Sequence, residues 1–166
     1  FRMVAYGSPG TLTLMGSGEM SASMSKVHRL LLSKIAGPVS AVFLDTPAGF
    51  QLNADEISAR AVEYFEKHLN VHLSVASLKS SAMAGSSLAQ ASLATLQKAN
   101  YIFAGPGSPS YAARHWLNSP FAAALAERLA ANAQLVFASA AAIALSRYAI
   151  PVYEIYKVGE EPHWTQ

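Results

Sequence analysis

The 166-residue sequence contains no cysteine. This excludes a disulfide scaffold, a thiolate metal site and a cysteine nucleophile, and it favours a reducing, cytoplasmic setting. Charge is scarce as well: Asp, Glu, Lys and Arg make up 13% of the chain, with 12 basic against 10 acidic residues. The basic residues stand singly with no cluster of four or more, so neither nucleic acid nor a membrane surface finds an electrostatic footprint. Long hydrophobic runs are missing too. The most apolar window, Leu135 to Leu145, falls well short of the roughly twenty residues a spanning helix needs. The chain opens on Phe1 without a basic segment, a long apolar stretch or a small-residue cleavage site, and so does not read as a signal peptide.

What is abundant is apolar surface, at 52% of the residues. A chain of this length can bury that surface in one core, and a single domain over 1–166 is expected. Thr11 to Met15, Val39 to Leu44, Val71 to Val75, Tyr101 to Ala104 and Leu135 to Ala138 read as strands, most of them continuously apolar. Between them lie helical stretches at Ser25 to Ile35, from the Asn53-to-Glu56 cap signal through Leu69, Leu88 to Lys98, Tyr111 to Trp116 and Pro120 to Ala131. Ser77 to Ser92 reads as a loop. Unbroken apolar strands alternating with helices predict an α/β fold, doubly wound, with a mostly parallel sheet and helices on both faces.

In such sheets, ligands bind beyond the carboxyl ends of the strands, so the loops there carry the candidate chemistry. Gly16-Ser17-Gly18-Glu19 could offer backbone N–H groups to an anion at a helix start. Its Gly-x-Gly-x-x-Gly spacing is broken at Ser21 and it lacks a P-loop lysine, which leaves a tight turn as the plainer reading. Gly105-Pro106-Gly107-Ser108-Pro109 alternates prolines with two residues whose N–H groups are expected free, Gly107 and Ser108. A rigid loop with two donors suits an oxyanion, and equally a stiff turn. Ser139 stands where an apolar strand runs directly into the alanine-rich segment Ala140 to Leu145. A serine at such an elbow has its hydroxyl pushed to the top of the sheet with the next N–H, that of Ala140, beside it; capping of the helix is the alternative.

A serine nucleophile needs a base and an orienting acid. Downstream acids are Glu154, Glu160 and Glu161, and the only downstream histidine is His163, in a tail-like stretch. His28, His68, His72 and His115 lack metal-ligand spacing. His68 and His72 are four apart, but a break at Leu69-Asn70 keeps them from sharing a helix face.

The order of a glycine turn, a glycine-rich loop, a serine elbow and a later acid resembles the peptidase E and cyanophycinase family of serine peptidases. The most specific parts are Phe103-Ala104-Gly105-Pro106-Gly107-Ser108 and Phe137-Ala138-Ser139-Ala140-Ala141-Ala142. The resemblance implies a class I glutamine amidotransferase-like, flavodoxin-like three-layer fold. It also implies Ser139 as nucleophile, Glu154 as the acid of the triad, and Gly107 with Ala140 as oxyanion donors. Gly16, Gly18, Glu19, Ser108 and Arg114 are the expected substrate-facing positions, although Arg114 could equally lie on the outer face of its helix. The resemblance further implies small-peptide substrates cleaved next to acidic residues, and no metal or organic cofactor. Two departures stand out. The elbow has Ala141 where the family usually has glycine, and the family's histidine would fall past Gln166. The chain is therefore expected to be a fragment truncated before its base, inactive by itself and, with apolar surface left uncovered, able to associate as a homo-oligomer. A degenerate, ligand-binding domain without turnover and a purely structural α/β domain are the other readings.

Overall fold

The apolar runs become strands whose side chains alternate between two helical layers. The computed structural model describes residues 10–149. The elements are β1 (Thr11–Met15), α1 (Ser25–Leu32), β2 (Ala41–Leu44), α2 (Ala54–Leu69), β3 (Leu73–Ala76), α3 (Ser87–Leu96), β4 (Tyr101–Ala104), α4 (Pro109–Leu117), α5 (Phe121–Ala130), β5 (Gln134–Ala138) and α6 (Ser139–Ala144). The five strands form one parallel sheet in the order β1-β5-β4-β2-β3.

Val42, Leu44, Ile102, Ala104, Leu135 and Phe137 face one core, which α3, α4, α5 and α6 complete through residues such as Leu96, Trp116, Phe121 and Ala141. Their alternate neighbours Ala41, Phe43, Tyr101, Phe103, Val136 and Ala138 face the other, closed by Leu31 of α1 and Ala61, Tyr64 and Phe65 of α2. Burial on both faces is why these strands are apolar without alternation. β1 forms the sheet edge among the described residues, and its Leu12 and Leu14 are exposed. No described helix is long and apolar enough to cross a membrane.

Local chemistry shifts several expected boundaries. Asn53 does not cap α2 with its side chain, so the capping-box reading fails there. α2 ends at Asn70 in the left-handed conformation (φ 55°), and the Val71 N–H turns back to Phe65, which delays β3 to Leu73. The same turn leaves His68 on the helix and His72 beyond it, as the Leu69-Asn70 break requires. The expected loop from Ser77 to Ser92 is cut short by α3, which Ser86 caps by accepting the Ala89 N–H at 3.1 Å. α4 begins at Pro109, earlier than expected, because Ser108 caps it and proline fits its first turn.

Register places the loops that follow. Met15 lies beside Ala138, and Ala104 beside Phe137, so β5 ends between the ends of β1 and β4. β2 has β3 on one side and β4 on the other, making the β2/β4 boundary the place where the winding reverses.

Candidate active site

Ser139 follows β5 directly and has φ 52°. The other described non-glycine residues with positive φ are Asn70 and Asn132, of the type that tolerates it most readily. For serine the left-handed conformation costs roughly 1 kcal/mol or more. The elbow is held against that cost from both sides: the Ser139 N–H donates to the Gly16 carbonyl at 2.8 Å, and the Ala141 N–H donates to the Gly105 carbonyl at 3.2 Å. The Ala140 N–H between them is donated to no described residue. Ser139 is half-buried, and its hydroxyl makes no hydrogen bond with a described residue. It does not cap α6, whose N-cap position is Ala138. Ala141 is helical and fully buried, outside the positive-φ set, so alanine in place of glycine creates no backbone strain.

Gly107 lies on the loop after β4 with φ 150°, and a β-carbon there would stand 1.8 Å from the Pro47 carbonyl oxygen. Of the two donors expected free on this loop, the Ser108 N–H is already engaged, donating to the Pro47 carbonyl at 2.8 Å. The Ser108 hydroxyl accepts the Tyr111 N–H. That leaves the Gly107 N–H, which no described residue accepts.

On the loop after β1, Gly18 turns the chain with φ 80°, and added β-carbons at Gly16 and Gly18 would meet nothing within 4 Å. Glu19 folds inward from this open loop. It is only 6% exposed, and its Oε1 lies 3.0 Å from where a Gly105 β-carbon would be. Its backbone carbonyl accepts a hydrogen bond from His28 Nε2 at 2.8 Å. A carbonyl can only accept, so Nε2 carries the proton, and His28 Nδ1 accepts from the Tyr101 hydroxyl at 2.7 Å. Burial holds His28 below the usual histidine range, partly countered by the Glu19 carbonyl, and burial also pushes the Tyr101 phenol up.

Asp45, which the sequence reading passed over, ends β2 at 1% exposure. Its carboxylate accepts the Ser77 hydroxyl at 2.6 Å and the Leu78 N–H at 2.9 Å, tying the ends of β2 and β3 together. Burial pushes its carboxyl up, against the pull of these bonds and the Lys79 charge. An acid immediately after an apolar run is the signal that could have marked it.

The structure brings Ser139, Ala140, Gly16, Gly105 and Glu19 to one sheet edge, with Gly107 on the adjoining loop. Arg114 is elsewhere: it is exposed on α4 and lines a groove with Leu12, Trp116, Phe137 and Arg147 that none of those residues lines. Glu154, Glu160, Glu161 and His163 lie outside the described residues. Of the described histidines, His28 has both nitrogens engaged, and Nδ1 of His115 accepts from the N–H and hydroxyl of Ser81. His68 and His72 stand at the opposite, N-terminal edge of β3. No group of three or more potential metal ligands occurs among the described residues.

The parallel α/β sheet with helices on both faces matches solved folds. The chain is similar to the crystal structure of a peptidase from an acI-B1 actinobacterium, at 21% identity and a TM-score of 0.74, over 86% of this chain and 59% of that one. It is also similar to a protein of Listeria monocytogenes EGD-e named for peptidase E, at 17% identity and a TM-score of 0.60, over 90% of this chain and 67% of that one. The fold is therefore that of the peptidase E-like proteins. The chain spans about three fifths of the length of the actinobacterial peptidase. No family model matches the sequence, and no curated protein matches it significantly.

Proposed function

We propose that this chain carries the nucleophile and oxyanion site of a serine peptidase acting on small peptides. The observation that carries the reading is the left-handed Ser139 at the end of β5, with the N–H groups of Ala140, next in the chain, and Gly107, on the loop after β4, that no described residue accepts. In this reading the Ser139 Oγ attacks the scissile carbonyl carbon while its proton passes to a base. The carbonyl oxygen, now negative, accepts hydrogen bonds from the two amides. Collapse breaks the C–N bond, and the base returns the proton to the leaving amine. Water then repeats the sequence on the acyl-serine and frees the acid.

His28 has both nitrogens engaged, and His68 and His72 lie at the opposite edge of the sheet, which supports a base drawn from residues outside 10–149. Glu154 is proposed as the acid that orients it, on the strength of the resemblance alone, as is a preference for acidic residues near the cleaved bond. The ligand-binding alternative rested on Ala141, and the unstrained helical Ala141 removes that support.

The test is labelling of the intact protein with a fluorophosphonate, read by intact mass, beside Ser139→Ala and Glu154→Gln. One adduct that disappears in Ser139→Ala is the expected result. A folded protein that takes up no label overturns the reading.

A further inference from the structure

Glu19 breaks a rule that the other buried ionisable groups obey. Carboxylates are almost never buried without a partner, because an ion removed from water keeps its desolvation cost unless donors or a cation replace the water. Asp45 has its two donors, and His28 has a partner on each nitrogen. The Glu19 carboxylate has neither a hydrogen bond nor a salt bridge with any described residue. His28 donates to its backbone carbonyl, not to its carboxylate, and burial disfavours the charged form of that ring.

The position is also a built one. His28 fixes the main chain of Glu19, and Gly105 makes room for its Oε1 by having no side chain. The same Gly105 receives the Ala141 N–H that closes the elbow. Among the described residues, the fully enclosed side-chain polar atoms without partners are Thr46 Oγ1, Trp116 Nε1 and Gln134 Oε1. The Glu19 oxygens are not among them, so they keep an opening to the exterior, beside a loop whose Gly16 and Gly18 present open space.

We propose that Glu19 is a specificity-determining residue that binds a nitrogen cation of the substrate, either a free α-ammonium or a basic side chain, next to the Ser139 elbow. The proposal rests on the peptidase reading for its context, but cation binding can be tested without turnover. A carboxylate that meets a charge-assisted donor only when substrate arrives selects for that donor, and an uncharged analogue leaves it buried and unpaired.

The experiment uses the intact protein and its Glu19→Gln variant. First, calorimetric binding of glycinamide, N-acetylglycinamide and N-acetyl-lysinamide separates the two sources of the cation. Wild type is expected to bind glycinamide or N-acetyl-lysinamide roughly tenfold to a hundredfold more tightly than N-acetylglycinamide, and Glu19→Gln to lose that preference. Second, thermal unfolding without ligand is expected to show Glu19→Gln at least as stable as wild type, since the substitution removes an unpaired buried charge. Equal binding of all three amides, a preference that survives in Glu19→Gln, or a clear loss of stability in that variant overturns the proposal. The last result would mean that the carboxylate already has a partner within the chain. Failure of fluorophosphonate labelling with the cation preference intact would remove the peptidase reading alone.

Discussion

A β-carbon on Gly107 would lie 1.8 Å from the carbonyl oxygen of Pro47. The turn after β2 and the loop after β4 thus touch backbone to backbone across the sheet's switch point, and the Ser108 N–H to Pro47 bond locks the contact. Gly107→Ala must therefore push the two loops apart as well as adopt a strained φ. The expected cost is about 2–4 kcal/mol in urea unfolding. Labelling of Ser139 should fall with it, because one of the proposed oxyanion donors moves. A variant as stable as wild type would mean that the contact is easily relaxed.

Ser139 carries a different kind of strain, one that glycine would relieve. Ser139→Gly and Ser139→Ala both remove the hydroxyl, but only alanine must still hold φ near 52° with a β-carbon. The glycine variant's gain in the fold is partly offset by the greater freedom of its unfolded chain. Ser139→Gly is nevertheless expected to be more stable than Ser139→Ala by about 0.5–1 kcal/mol. The reverse order in matched urea titrations would show that the elbow is not under strain.

Acid should loosen the fold through two histidines. His28 and His115 are both held below the usual histidine range, chiefly by burial. The unfolded chain titrates near the ordinary value of about 6.5 and so binds more protons than the folded chain just below it. Their contribution is fully present above that value and is lost progressively as pH falls below it and through the lower folded values. Protonation would set an N–H on His115 Nδ1 against the Ser81 N–H, and another on His28 Nδ1, which now accepts from Tyr101. Asp45 works the other way, since a raised carboxyl favours the fold on acidification. Comparison with variants isolates the histidines: the drop in Tm from pH 7.5 to 5 should shrink in His115→Gln and in His28→Gln. Undiminished drops in both would exclude them as its source.

The sequence carried the strands well because burial on both faces writes itself as unbroken apolar runs. Val42-Phe43-Leu44 and Ile102-Phe103-Ala104 leave few other readings. The Ser139 elbow was legible for a related reason, since a strand and a helix abut there with no polar residue between them. What sequence could not show is partnership at a distance. The engagement of the Ser108 N–H by Pro47, the pairing of Asp45 with Ser77 and the burial of Glu19 against Gly105 each join loops far apart in the chain. Arg114 illustrates the converse: near the Gly107 loop in sequence, it is turned by its helix toward a separate groove. Local propensity also misled at Asn53, where the residue type fits a cap but the backbone does not.

The Gly16 carbonyl that holds the Ser139 N–H has a consequence in time. Among the described residues β1 pairs with β5 alone, so Thr11 must wait for Gln134 before that pairing can form. During synthesis β1 emerges long before β5, its sheet neighbour among the described residues, and the intervening β2, β3 and β4 can pair among themselves without it. The clamp on the serine closes when β1 finally docks, making it among the last parts of the molecule to form. A half-made chain would carry the serine's neighbours but not its geometry.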